Sequence, residues 1–174
     1  MKPSHNPNAD NYKARAEAAM ERHAWPEALE AWLAWWSDDV TNPDAMHDRA
    51  VCHFHCGEKE VALTWLNRAA DTQPDYSYRY SSRGWMKQAT GDTHGAIEDY
   101  KKALELDPED AAAYSNRGVA FRKLRRWGDV VGDFSKVIEL TPEDATAFCT
   151  RAVAYGKLKQ WGETIDDCTR AIRL

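Results

Sequence analysis

This 174-residue sequence has no run of 18 apolar residues, which excludes an ordinary membrane-spanning helix. Its start, Met1 to Asn8, is polar and contains proline where a signal peptide would carry an apolar stretch. A soluble, unexported chain located in the cytoplasm is therefore expected. Cysteine is scarce, and the four present are irregularly spaced, which does not make the framework of a secreted disulfide domain. Reduced thiols are the default. Also missing are a Gly-rich phosphate loop, a nucleophile elbow and any carboxylate pair outside the repeat described next. Neither an enzyme nor a cofactor is expected.

What the sequence does have is a period of 34 residues: segments starting at Ala9, Pro43, Ser77, Ala111 and Ala145 align without a gap. Numbering places from 1 to 34 within each segment, place 8 reads Ala16, Ala50, Gly84, Gly118 and Ala152. Place 20 reads Ala28, Ala62, Ala96, Val130 and Thr164, and place 24 reads Trp32, Leu66, Tyr100, Phe134 and Cys168. Small and large sites thus recur in step. Within a segment, two amphipathic stretches alternate with short breakers; in the fourth, Tyr114, Gly118 and Phe121 share one helical face and Val130, Phe134, Val137 and Ile138 another. Small residues at places 8 and 20 let two helices approach closely, and the large residue at place 24 fills the gap beside them. One such pair buries too little, so pairs must stack. The stretches Thr141-Pro142-Glu143-Asp144 and Asp107-Pro108-Glu109-Asp110 each offer a cap, a proline suited to the first helical position and acids at the positive end of a helix.

Pro74, Pro108 and Pro142 at place 32, with the small and aromatic places, resemble the tetratricopeptide repeat family. The resemblance covers about residues 9 to 174. It implies an all-α, right-handed superhelical solenoid of antiparallel helix hairpins, ten helices in a single domain of units 9–42, 43–76, 77–110, 111–144 and 145–174. Residues 1–8 are expected to form a disordered tail.

Place 7 is arginine throughout: Arg15, Arg49, Arg83, Arg117 and Arg151. Across an antiparallel hairpin it should meet place 23, which is Asp99, Asp133 and Asp167 in the last three units. Three Arg–Asp bridges are expected in preference to an arginine ladder for an anionic ligand, since a paired charge is poorly available. Arg15 and Arg49 face Ala31 and Trp65 instead, so either backbone carbonyls satisfy them or they lie freer.

The resemblance also implies that the first helix of each unit lines an inner groove. In the first two units this picks out Lys13, Glu17, His47, Val51, Phe54 and His55. In the third and fourth it picks out Tyr78, Ser81, Trp85 and Gln88, then Ser115, Asn116, Val119 and Arg122. Apolar at Val51, Phe54 and Trp85, hydroxylated in the middle and basic at one edge, such a groove suits an extended peptide of an unidentified protein partner. The family's carboxylate clamp for the C-terminus of a heat-shock chaperone is not supplied. Asn116 matches its middle Asn, but Ser81, Trp85, Thr146 and Thr150 replace the other residues.

Three further features invite a chemical reading. Cys52-His53-Phe54-His55-Cys56 has zinc-ligand types, but only Cys52 and Cys56 share a helical face, so no metal is expected. The basic stretch Arg122-Lys123-Leu124-Arg125-Arg126 reads as a solvated edge, since the formal charge is −5 and no aromatic platform interleaves; nucleic acid is disfavoured. The acidity lies in residues 1–76, with 7 Lys/Arg against 13 Asp/Glu, whereas 77–174 have 16 against 15. Lys87, at a usually aromatic place, is expected to pack its stem and send its ammonium outward. Finally, Ile165, Cys168 and Ile172 occupy faces that in inner units meet the next repeat. Either the chain was cut from a longer parent, or this end packs on another copy, or it frays; a self-assembling module using this end and the Trp-rich segment Trp25 to Trp36 is the alternative to the peptide scaffold.

Overall fold

A computed structural model describes residues 9–35 and 42–174, and the expected tail and Trp36 lie outside them. The described residues contain ten α-helices and no strand. They fall into two compact units, Met1–Pro74 and Asp75–Leu174. The first holds α1 (Ala9–Glu21), α2 (Trp25–Trp35), α3 (Pro43–His55) and α4 (Lys59–Thr72). The second holds α5 (Ser77–Thr90), α6 (Thr93–Leu106), α7 (Ala111–Lys123), α8 (Trp127–Leu140), α9 (Ala145–Lys157) and α10 (Trp161–Arg173). Consecutive helices pair as hairpins, and in the second unit α6 also packs on α7 and α8 on α9. The fold class is the all-α solenoid of helix hairpins.

Every first helix begins at place 1 and every second helix at place 17, so the sequence period is also the structural one. Even the turn between them keeps phase: His23, Gly57, Gly91, Arg125 and Lys159, all at place 15, have φ between 57° and 99°. Gly57 and Gly91 adopt that left-handed backbone without a Cβ penalty; the other three tolerate it so that the chain can reverse.

Capping differs from the sequence expectation. Helix α9 starts at Ala145, and its cap is Asp144, which accepts bonds from the backbone N–H of Thr146 and Ala147 at 2.8 and 3.2 Å. Thr141 closes α8 instead, its hydroxyl donating to the Val137 carbonyl at 2.7 Å. Asp110 likewise caps α7 through Ala113 N–H at 2.9 Å. A carboxylate at the positive end of a helix is the better partner for orphan N–H groups, so the helix waits for it and the proline stays in the turn.

The core is built at the expected small and large places. In the first unit, Ala16, Ala28, Ala31 and Trp32 are buried together with Ala45 and Met46 of α3. The indole N–H of Trp32 lies 3.4 Å from the Met20 sulfur. In the second unit, Tyr100 and Phe134 fill the space opposite Gly84 and Gly118. A Cβ on Gly84 would lie 3.0 Å from the Tyr100 ring, and one on Gly118 only 2.7 Å from the Phe134 ring.

Gly118→Ala should therefore lower stability by about 1–3 kcal/mol through overpacking, against a helix-propensity gain of under about 1 kcal/mol. Gly132→Ala, on the exposed side of α8 with nothing within 4 Å of the new methyl, should raise it by about 0.5–1 kcal/mol. Urea titration of both variants reads the opposite signs; a stabilised Gly118→Ala would contradict the close approach.

Candidate functional site

The residues that look most chemical turn inward. Arg83, Arg117 and Arg151 each grip the Asp sixteen residues on with two bonds. The Nη2 atoms donate at 2.6, 2.6 and 2.8 Å and the Nε atoms at 2.9, 3.0 and 2.8 Å. The three expected bridges are all formed. Asp99, Asp133 and Asp167 are buried. At Asp133, burial pushes the carboxyl up while the bonds from Arg117 pull it down, and those same bonds hold the half-buried guanidinium charged. At Arg151 the bonds to Asp167 outweigh desolvation and raise the guanidinium further.

Lys87 departs from its expectation. Its ammonium does not turn outward but sits 2.9 Å from Asp99 Oδ2, so that Asp99 holds both Lys87 and Arg83. The stem has a carboxylate within reach inside the hairpin, which competes successfully with water. In the first unit place 23 is not acidic, and Arg49 instead lies 4.0 Å over the Trp65 ring, with Arg68 at 5.0 Å. Burial and the Arg68 charge both push the Arg49 guanidinium down. A cation–π contact replaces the ion pair. Arg15 is exposed, 5.9 Å from the Tyr12 ring.

The Cys-His stretch separates in the same way. Among the described residues, no three His, Cys, Asp or Glu gather as metal ligands. His53 is buried with Nδ1 2.6 Å from Glu58 Oε2, while the His55 ring stacks on Trp25 at 3.9 Å. In the basic stretch, Arg126 bonds Asp129 at 2.8 Å and lies 4.5 Å from the Phe121 ring, leaving Arg122, Lys123 and Arg125 exposed.

The predicted groove residues lie on the first helices. In the first unit Lys13 pairs with Glu17 at 3.7 Å, His47 sits 3.4 Å from Asp48, and Val51 and Phe54 are half-buried. His47 and His55 engage different partners, Asp48 and the Trp25 ring. In the second unit α5 and α7 touch directly. On them Tyr78 and Trp85 are 47% and 45% exposed, while Ser81, Gln88, Ser115, Asn116 and Val119 are half-buried. The Ser81 hydroxyl donates to Asp110 at 3.3 Å, and Gln88 accepts from the Tyr100 hydroxyl at 3.5 Å. Val153, at the same place on α9 as Trp85 on α5, is also exposed. The face thus has large apolar groups in solvent with amide and hydroxyl groups beside them.

Sequence reasoning missed Arg79. It is buried, its guanidinium 5.1 Å from the Tyr76 ring and 5.9 Å from the Tyr78 ring. The available signal was its place, which is Ala45, Ala113 and Ala147 in other units.

A family model described as TPR repeat matches residues 86–124. The heat-shock protein cognate (HSC) co-chaperone sgt12 of Aspergillus fumigatus is 29% identical over 96 residues, 55% of this chain and 28% of that relative. The chain thus spans less than a third of that relative's length. The structure titled MamA 41-end from Desulfovibrio magneticus RS-1 has a TM-score of 0.87, covering 98% of this chain and 97% of that one at 16% identity. A crystal structure of MamA protein has a TM-score of 0.84, covering 95% and 91%, also at 16% identity. At such identity the likeness is one of fold.

Burial pushes the Cys52 thiol up to about 12, with Asp48 and Cys56 adding to the effect, and burial with Glu58 also raises Cys56. Cys149 and Cys168 are exposed. Iodoacetamide at about pH 8 should therefore alkylate Cys149 and Cys168 first and Cys52 only on unfolding. Mass mapping in the native state checks this, and early labelling of Cys52 would contradict its placement.

Proposed function

We propose that this chain, a tetratricopeptide-repeat protein, works by binding rather than chemistry, as a protein-interaction scaffold whose first helices take an extended peptide. No described helix is long and apolar enough to cross a membrane. Trp85 carries the proposal. Nearly half of its surface remains in water on α5, where a packing role alone would favour burial. Tryptophan is among the residues that contribute most when a partner removes them from water. Ser115 and Asn116 on α7 supply donors and acceptors for a peptide backbone, Tyr78 and Val119 extend the apolar contact, and Arg122 offers a cation at the edge. In the first unit, Lys13, Glu17, His47, Val51, Phe54 and His55 form the corresponding face.

The chemistry of this face favours a different ligand from the one implied by the name of the co-chaperone relative. A carboxylate clamp needs converging Lys, Arg and Asn side chains, and only Asn116 matches. An internal peptide segment with an apolar anchor fits better than a free C-terminus. Arg83, Arg117 and Arg151 do not contribute, because their donors are engaged inside the hairpins, and Arg49 lies over the Trp65 ring.

An immobilised array of extended peptides, probed with the full chain, tests the proposal. Trp85→Ala and Asn116→Ala should each weaken the strongest signals by about tenfold, close to 1.4 kcal/mol, while circular dichroism stays unchanged. An identical binding pattern for the wild type and both variants would remove the groove from consideration.

A further inference from the structure

We infer that the exposed face of α10 is a docking surface for α1 of a second copy of the chain, a head-to-tail contact separate from the peptide groove. The interfaces inside the second unit supply the template. Val131 and Ile138 of α8, at places 21 and 28, join one apolar cluster with Ala147 and Ala154 of α9, at places 3 and 10. Ile97 and Leu104 of α6 share clusters with Ala120 and Ala113 of α7, the same four places. All four alanines are fully buried. The rule is thus two branched side chains seven residues apart, covered by a helix with small residues seven apart.

Helix α10 presents this surface uncovered. Ile165 and Ile172, at places 21 and 28, are 65% and 85% exposed, and Trp161 and Cys168 on the same stripe are exposed too. The spacing 161, 165, 168, 172 gives one continuous apolar strip along three turns of helix. In the same structure, the helix with a first-helix register and exposed covering places is α1: Asn11 and Ala18, at places 3 and 10, both face solvent.

A polar contact supports the match independently of the apolar strip. Where α9 packs on α8, Arg151 at place 7 reaches back with Nη1 to the Ser135 hydroxyl at place 25, 2.9 Å away. The corresponding residues on the two exposed helices are Arg15 and Thr169, an arginine and a hydroxyl again. Arg15 has Ala31 across its own hairpin where the last three units have aspartate, so no carboxylate at that place competes for its exposed guanidinium. Seating α1 on α10 would bury Ile165 and Ile172 under Ala18 and Asn11 and bring Arg15 to Thr169. Because the two surfaces differ, the contact is heterologous: each copy keeps one open face of each kind, and association proceeds to rings or open chains.

Sedimentation equilibrium of the full chain and two variants tests this. Wild type should show an average mass above one chain that rises with concentration. Ile165→Glu/Ile172→Glu, which disables the α10 face, and Ala18→Glu, which disables the α1 face, should each remain monomeric, with unchanged circular dichroism because all three positions are solvent-exposed. Mixed in equal amounts, the two variants should form a two-chain complex that grows no further, since one intact face of each kind remains. A wild type that is monomeric at every concentration, an Ala18→Glu variant that still associates (a symmetric α10 contact or another surface), or a mixture that fails to pair would each overturn the proposal.

Discussion

A guanidinium gripped by both oxygens of a buried carboxylate sixteen residues away sets the register of each hairpin in residues 75–174. Places 7 and 8 are adjacent, as are 23 and 24, so the bridge sits next to the point where Gly118 meets the Phe134 ring. Sliding one helix along the other by a single residue would pull the fork off its carboxylate and drive a backbone into an aromatic ring. The bridge's net stabilisation is modest, because desolvating two charges offsets much of their attraction. Its larger effect is on alternatives, since a misregistered hairpin would leave two buried charges unpaired. In the first unit the same arginine place uses Trp65 as its partner, which is less directional and tolerates a second cation, Arg68.

Function follows from what this packing leaves over. In residues 75–174 the hairpin interior consumes the charged residues at places 7 and 23, and at Lys87 it draws in one more cation than the pattern requires. Cys52, His53 and His55 of α3 are committed as well, to the core, to Glu58 and to Trp25. What remains is a set of side chains on the first helices and on α10 that the fold does not need, and their large apolar members would gain most from a partner. A chain that draws its paired charges into packing and leaves large apolar groups such as Trp85 in solvent is suited to recognition.

Much of this was legible because the period makes each unit a control for the others. An arginine repeated five times with an aspartate repeated three times, at places that face each other across a hairpin, specifies a bridge without coordinates. The helix starts at Ala9, Pro43, Ser77, Ala111 and Ala145 were legible in the same way. What escaped were competitions between neighbours. Thr141 and Asp144 both offer cap chemistry, and which one the helix uses depends on backbone geometry three residues apart. Lys87 had two destinations, water and Asp99, and sequence gives their distance in residues rather than in ångströms. Arg79 broke the pattern at a place of alanines, and a departure from a period marks a residue without saying what surrounds it. The left-handed backbone at place 15 shows through the sequence only where glycine occupies it.

The most direct test of the register argument is a double-mutant cycle on Arg117 and Asp133, with unfolding free energies measured for Arg117→Ala, Asp133→Ala and the double variant. If the bridge couples the two helices, each single change strands a buried charge, and the double variant should be destabilised by about 1–3 kcal/mol less than the sum of the two. Strict additivity, within about 0.3 kcal/mol, would show that the two side chains do not act together and that hairpin register has another origin.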